Sequence, residues 1–217
     1  MSLILHIETA TKTCSVALSE KGKLLHEISE IGDGYIHGER LTILIQKVLL
    51  KTKVEISSLE AISISIGPGS YTGLRIGLST VKGIAFALNC PIIALNTLEI
   101  IARSIPNDEK VFAMLDARRM EVYAYGINES KEEVFSSSPL IVNSDTLAEF
   151  DPFICIGDGS MKVKDIWKHR QVKFMNDFQL NAGLQVKMAY SYYLKKEFAN
   201  AATLVPNYLK EFQFTSK

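Results

Sequence analysis

The sequence predicts an α/β fold written twice, as two β-β-β-α-β-α lobes. Three observations predict it. The run I-S-I-G-P-G-S at 64–70 returns as I-C-I-G-D-G-S at 154–160, each time a short apolar strand followed by G-x-G-S. The segments that open the two halves, Leu3–Ile31 and Val111–Phe135, both alternate apolar and polar residues between turn residues, as three-stranded meanders do. The stretch from the opening strand to the glycine turn is longer in the first half (Glu8 to Gly67) than in the second (Asp116 to Gly157), by about one helix and its approach loop.

In the first half a strand runs to Glu8. A tight turn leads into C-S-V-A-L-S, and a Lys-Gly-Lys turn into L-L-H-E-I-S-E. A helix is expected over 37–51. Its Leu41, Leu44, Ile45, Val48 and Leu49 fall at i, i+3, i+4, i+7 and i+8, one complete core-facing stripe. Ile43 and Leu50 lie outside that stripe on a second face. After the first glycine turn a helix spans 73–88, with Leu74, Ile76, Leu78, Val81, Ile84 and Phe86 covering most of its circumference. Gly73, Gly77, Thr80 and Gly83 are small enough to let another helix approach. Strand 91–95 and helix 97–104 close the lobe, and the polar run 104–110 with Pro106 is the expected hinge. The lobes are therefore expected at 1–104 and 105–217. In the second, strands V-F-A-M-L-D, E-V-Y-A-Y-G-I and E-E-V-F precede a short helical stretch at 144–150 capped by Ser144. A helix over 183–198 follows the second glycine turn after a longer connection. Two such lobes are the plan of the actin-like superfamily (ASKHA, ribonuclease H-like), a plan that hosts many functions.

Composition excludes several classes. Twenty-four Lys+Arg cancel twenty-four Asp+Glu, so no global field draws nucleic acid or anionic membrane. Cys14, Cys90 and Cys155 are odd in number and without a C-x-x-C pair, the pattern of reduced core thiols. The start M-S-L-I-L-H-I-E has no basic region and meets an acid at Glu8, so no signal peptide is expected. The apolar run 76–88 is too short to span a bilayer. These point to a cytoplasmic protein. Among His6, His26, His37 and His169, only His37 opens a helix, and Leu41 stands where a second ligand would be wanted, so no metal site is expected.

The first glycine turn invites a phosphate reading and fails its strict forms. Gly69 and Gly73 are too close for a Walker A loop, and Leu74-Arg75 replace its Lys-Ser/Thr. Thr72 stands where a dinucleotide fingerprint needs its third glycine. What remains is a helix N-terminus capped by Ser70 or Thr72, which could hold an anion. The acid turns beside it, Glu8-Thr9-Ala10-Thr11 and Asp116-Ala117-Arg118-Arg119, carry no glycine, although the two arginines could themselves clamp a phosphate. Glu8, Gly67, Gly69, Ser70, Thr72, Asp116, Gly157 and Gly159 thus form at most a vestigial ligand loop. The basic stretch Lys162–Lys173 is expected to be a solvated surface segment with Trp167 beneath it.

The helices carry the stronger signal. A helix apolar all round needs cover on both sides, from its own lobe or from another chain. With a second face on the preceding helix, an interface built by both is expected, through Ile43, Lys47, Leu50, Gly73, Ile76, Gly77, Thr80, Val81 and Ile84.

The run I-S-I-G-P-G-S-Y-T-G-L-R-I-G-L-S-T-V-K-G-I-A (64–85) closely resembles the TsaB family, the bacterial dimerisation subunit of the tRNA threonylcarbamoyladenosine synthase complex, whose older description is glycoprotease-like. I-E-T-A-T near the start, H-G-E-R-L at 37–41, D-A-R-R-M-E-V-Y at 116–123 and P-N-Y-L-K at 206–210 add to the resemblance, with Lys210 where an arginine is usual. The resemblance implies a two-lobed actin-like fold and a non-catalytic scaffold that pairs with the catalytic paralogue TsaD through the two helices. The same surface would form a homodimer when the chain is alone. It further implies TsaE, an ATPase, as a partner, tRNA contact only within the complex, and ATP and metal on the partner subunits. The alternative is an ATP- or metal-dependent glycoprotease-like or carbamoyltransferase enzyme.

Overall fold

The computed structural model describes residues 2–32, 36–106 and 108–210. Asn107 of the expected hinge and the tail 211–217 lie outside the described residues. The chain forms two compact units: Met1–Ile100 with Gln179–Pro206, and Ile101–Phe178 with Asn207–Lys217.

In the first unit, β1 (Leu3–Glu8), β2 (Thr13–Glu20), β3 (Lys23–Ile31), β4 (Ala61–Ser65) and β5 (Ile92–Leu95) form a mixed sheet ordered β3-β2-β1-β4-β5. Helices α1 (His37–Thr52) and α2 (Tyr71–Leu88) connect β3 to β4 and β4 to β5. Helix α3 (Thr97–Arg103) follows. In the second unit, β6 (Val111–Asp116), β7 (Glu121–Ile127), β8 (Glu133–Ile141), β9 (Phe153–Ile156) and β10 (Val172–Phe174) are ordered β8-β7-β6-β9-β10, the same order again. Only the five-residue α4 (Ser160–Lys164) lies between β9 and β10, and α5 (Val186–Lys195) comes last.

The pairing register decides which side chains share a face. Leu5 sits opposite Leu18 and Ile62, and Ile7 opposite Val16 and Ile64. These pack against Leu41, Leu44, Ile45 and Val48 of α1 and Leu78, Val81 and Ala85 of α2. The stripe expected on α1 is that packing face. The other face carries His6 opposite Ala17 and Ser63, and Glu8 opposite Ser15. It is polar, yet fully buried.

What buries it is the segment 179–206. Gln185 donates from Nε2 to the Ile7 carbonyl (2.8 Å) and the Glu8 carboxylate (3.2 Å), and accepts from the Ser63 hydroxyl (2.7 Å). That last bond orders the rest. Ser63 has one hydrogen and spends it on Gln185. His6 Nδ1, 2.7 Å from Ser63 Oγ, must therefore be the protonated nitrogen, and Nε2 accepts from Ser19 (2.7 Å). Ser65 Oγ (2.6 Å) and the Ala10 amide (2.8 Å) complete Glu8. Ser15 Oγ and the Glu27 carboxylate receive the amides of Ala182 and Gly183, both at 2.9 Å. The expected division at 104/105 therefore places 179–206 on the wrong lobe: its polar groups match those of the first sheet.

The second unit packs around Phe112, whose ring lies 4.7 Å from Phe153 and 5.0 Å from Phe150. Trp167 is fully buried and donates to the Asn143 carbonyl (2.8 Å), with the Arg170 guanidinium 4.5 Å above its ring. The helix expected at 144–150 is absent, and a single 3₁₀ turn spans Ala148–Phe150. Asn143, not Ser144, captures the free amides of Asp145 and Thr146, both at 2.9 Å, an arrangement that competes with helix formation.

Burial drives the His6 pKa down to about 3 and raises that of Glu8 to about 6, against its hydrogen bonds. The two oppose each other. Unfolded His6 takes up a proton below its ordinary pKa of 6.5 that folded His6 refuses, so its contribution to stability falls as pH drops from about 6.5 toward 3. Folded Glu8 holds a proton that the unfolded chain has released, so its contribution rises as pH drops from about 6 to 4.5. Glu30 and Asp116, whose folded pKa values are lowered, act below that window. His37, lowered by burial, and Asp158, raised by it, add slopes of their own, so each variant is compared with wild type. Urea unfolding at pH 6.0, 5.5, 5.0 and 4.5 is expected to show His6→Asn and Glu8→Gln shifting the slope of stability against pH in opposite directions, each by about 1 kcal/mol per pH unit. Shifts in the same direction would refute the assignment.

Candidate functional site

Two features compete as the functional site: the glycine turns and the outer face of α1 and α2. The turns are spent on the fold. Gly67 has φ 117°, and its amide and carbonyl bond Thr97 Oγ1 (3.1 Å) and the Thr97 amide (3.0 Å). Ser70 donates its amide to the Ala10 carbonyl (2.6 Å) and caps α2 by accepting from the Gly73 amide (3.2 Å). A Cβ on Gly69 would stand 2.5 Å from that same Ala10 oxygen. The amides that would face a phosphate at Gly67, Ser70 and Gly73 are thus committed inside the chain, and Glu8 is sealed beneath them. Thr72 is exposed and does not cap α2.

The second turn repeats the geometry. Gly157 has φ 103°, a Cβ on it would meet the Met114 carbonyl at 2.2 Å, and the Gly159 amide donates to that carbonyl (3.0 Å). Beside it, Lys162 bonds Asp116 and donates to the carbonyls of Arg119 (2.7 Å) and Glu121 (3.1 Å). Burial works to raise the Asp116 carboxyl, but Lys162 and the Arg118 amide outweigh it and hold it below its usual range. The first glycine turn is braced on Ala10, just past β1, and the second on Met114, inside β6. Of the eight residues expected there, Glu8, Gly67, Gly69, Ser70 and Thr72 belong to the first unit and Asp116, Gly157 and Gly159 to the second.

His37 opens α1, buried. Its Nε2–H donates to the Thr11 carbonyl (2.9 Å), and burial lowers its pKa. Leu41, one turn on, lies in the core. Among the described residues no group of three or more His, Cys, Asp or Glu is placed to hold a metal ion.

The outer helix face is built differently. On α1, Leu50 is 77% exposed and Ile43 37%, two turns apart on the same side. Lys47 between them is tied back toward Glu30 (3.7 Å), which also receives a two-pronged bond from Arg40 (2.5 and 2.6 Å). On α2, Ile76, Thr80 and Ile84 are half-buried. Gly73, Gly77 and Val81, expected at the interface, are buried in their own lobe instead. A Cβ on Gly73 would sit 2.1 Å from the Thr9 carbonyl, one on Gly77 2.3 Å from Thr9 Oγ1, and Val81 belongs to the core. Sequence spacing missed Phe86, which at 92% exposure is the most solvent-open large apolar side chain described. It was one apolar residue among many on a helix that looked apolar throughout. Among the described residues no helix is long and apolar enough to cross a membrane.

Residues 35–211 match the family described as TsaD: tRNA N6-adenosine threonylcarbamoyltransferase. The tRNA threonylcarbamoyladenosine biosynthesis protein TsaB of Haemophilus influenzae is 33% identical over 55% of this chain, a match that spans about half (51%) of that relative's length. The protein of the same name from Buchnera aphidicola subsp. Baizongia pistaciae is 28% identical over 97% of this chain and 99% of its own. Among solved structures, YeaZ from Pseudomonas aeruginosa superposes with a TM-score of 0.81 at 29% identity, covering 96% of this chain and 100% of that one. The repeated strand order is that of the duplicated actin-like fold.

The α2 glycines separate by role. Gly73→Ala is expected to destabilise the protein by about 2 kcal/mol or more, because backbone must move to admit the methyl. Gly83, with nothing within 4 Å of a built Cβ, is expected to gain roughly 0.5–1 kcal/mol as alanine through helix propensity alone. Urea denaturation of the two variants measures both.

Proposed function

The chain belongs to the TsaB family, within the wider family described as TsaD: tRNA N6-adenosine threonylcarbamoyltransferase, and from that premise we propose that it is a non-catalytic scaffold in the making of threonylcarbamoyladenosine on tRNA, in the cytoplasm. In this reading it binds and stabilises a catalytic TsaD-like paralogue. The contact is the outer face of α1 and α2, and the same face joins two copies when the paralogue is absent. A TsaE-like ATPase joins the assembly, ATP and metal reside on the partner subunits, and tRNA is met within the complex.

The observation that carries the reading is the exposure of Leu50, Ile43 and Phe86 on two helices of one compact unit. Large apolar side chains held in water at this density mark interaction surfaces. The half-buried Ile76, Thr80 and Ile84 provide the floor of such a contact. Leu50 and Phe86, once covered, contribute about 1.5–3 kcal/mol each by area, and Ile43, already more than half covered, less. The chemistry of the glycine turns supports the same division of labour, since their amides and Glu8 are bonded within the chain. His37 likewise spends Nε2 on a backbone carbonyl.

The test is co-purification with the TsaD-like paralogue and sedimentation of the chain alone. Leu50→Asp with Phe86→Asp is expected to abolish both the heterodimer and self-association and to leave the thermal transition within a few degrees of wild type. An undisturbed complex would overturn the interface. The enzyme alternative is tested on the lone chain by equilibrium dialysis with ATP and divalent metals. Stoichiometric binding with turnover would overturn the scaffold reading.

A further inference from the structure

The turn between β6 and β7 is the most unusual exposed backbone in the second unit. Arg118 (φ 66°) and Arg119 (φ 51°) both adopt the left-handed conformation, which suits Asn-Gly and strains a long side chain. The Asp116 carboxylate accepts the Arg118 amide (2.6 Å), and Lys162 bonds Asp116 and the Arg119 and Glu121 carbonyls from below. Lys210 pairs with the Glu121 carboxylate. Lys162 and Lys210, from two segments far apart in sequence, thus both reach this turn.

They bring apolar surface with them. Met120 is 52% exposed, Met161 60%, Ile141 71% and Tyr208 41%. Ile141 lies beside Glu121 in the β7–β8 ladder, and Val142 donates its amide to the Met120 carbonyl (3.0 Å). Lys162 and Lys210 are taken up by Asp116 and Glu121, and Asp158 accepts the Asp116 amide. Neither the Arg118 nor the Arg119 guanidinium has a hydrogen-bond or ion-pair partner within bonding distance among the described residues.

We propose that this patch docks an acidic segment of a partner protein, with carboxylates on Arg118 and Arg119 and an aliphatic or aromatic side chain among Met120, Met161 and Tyr208. Methionine, tyrosine and arginine together are the composition of protein interfaces, and guanidinium groups that no carboxylate grips can take one in the fork geometry they fit, although the Arg118 charge already acts on Asp116. Flexible methionines adapt to an aliphatic or aromatic anchor. Three aliphatic side chains to one aromatic ring is poor equipment for stacking bases, which disfavours single-stranded RNA. The patch lies in the other compact unit from the α1–α2 face.

The test follows the methionine methyl signals of ¹³C-methyl-labelled full-length protein, with Met120 and Met161 assigned by Met→Leu replacement. Three probes are titrated: a 12-residue peptide of Asp, Glu, Leu and Phe, the same peptide with Lys for each acid, and a 12-nucleotide oligouridine. The acidic peptide is expected to shift both signals and the Lys peptide neither, with binding weakened severalfold as salt is raised. Arg118→Glu with Arg119→Glu is expected to weaken it at least tenfold. Arg118→Asn with Arg119→Gly, which relieves the turn, is expected to keep or raise the Tm and still lose the peptide. A purely structural role for the arginines cannot give that result. The proposal is overturned if the acidic peptide moves neither signal, if either double variant binds like wild type, or if only the RNA moves them.

Discussion

The first unit rests on a sheet whose two faces are both buried and chemically opposite. The apolar face needs only shape, which α1 and α2 supply. The polar face needs a partner for every proton and lone pair, because an unmatched buried polar group costs about 1–3 kcal/mol. Gln185 meets that demand at one point, as donor to Ile7 and Glu8 and as acceptor from Ser63. The Ser63 hydrogen in turn selects the His6 tautomer, so the donor direction runs one way from Ser19 through His6 and Ser63 to Gln185. A hydrophobic cover could not replace this segment, and a glutamate at 185 would lack the two donor hydrogens.

Much of this was legible in the sequence. The three-stranded meanders and the duplication follow from the turn residues and the repeat, and the core stripe of α1 from its spacing. The polar face was legible too, had period two been followed through the polar residues. His6 and Glu8, Ser15 and Ser19, Ser63 and Ser65 each alternate with apolar neighbours. Its cover was not, because nothing local to 179–206 tells which lobe its side chains match. The α2 glycines show the same limit. Gly73, Gly77 and Gly83 read alike as small residues, but two admit the Thr9 loop inside the lobe and one faces open space. Helical spacing finds faces; it does not tell which neighbour fills each.

The two halves differ most at the helices that cover the sheet. Both keep the strand order, a left-handed glycine and a backbone bond from the glycine turn to the end of the first strand or the residue just past it. In the second half the counterpart of α1 is a 3₁₀ turn and that of α2 is five residues long. The core there is instead filled by Phe112, Phe135, Phe150, Phe153 and Trp167, and Gly126 makes room for the Phe112 ring. Bulky rings replace helix surface, so the second half keeps a packed interior with little helical surface of its own.

The return of 179–206 to the first sheet also sets an order of events on the ribosome. Residues Ile101–Phe178 of the second unit lie between the two segments of the first, so the N-terminal sheet is translated early and yet cannot complete its polar face until Gln185 has emerged. Until then His6, Glu8 and Ser63 of the nascent chain remain hydrated, and the sheet is an intermediate that water must hold open.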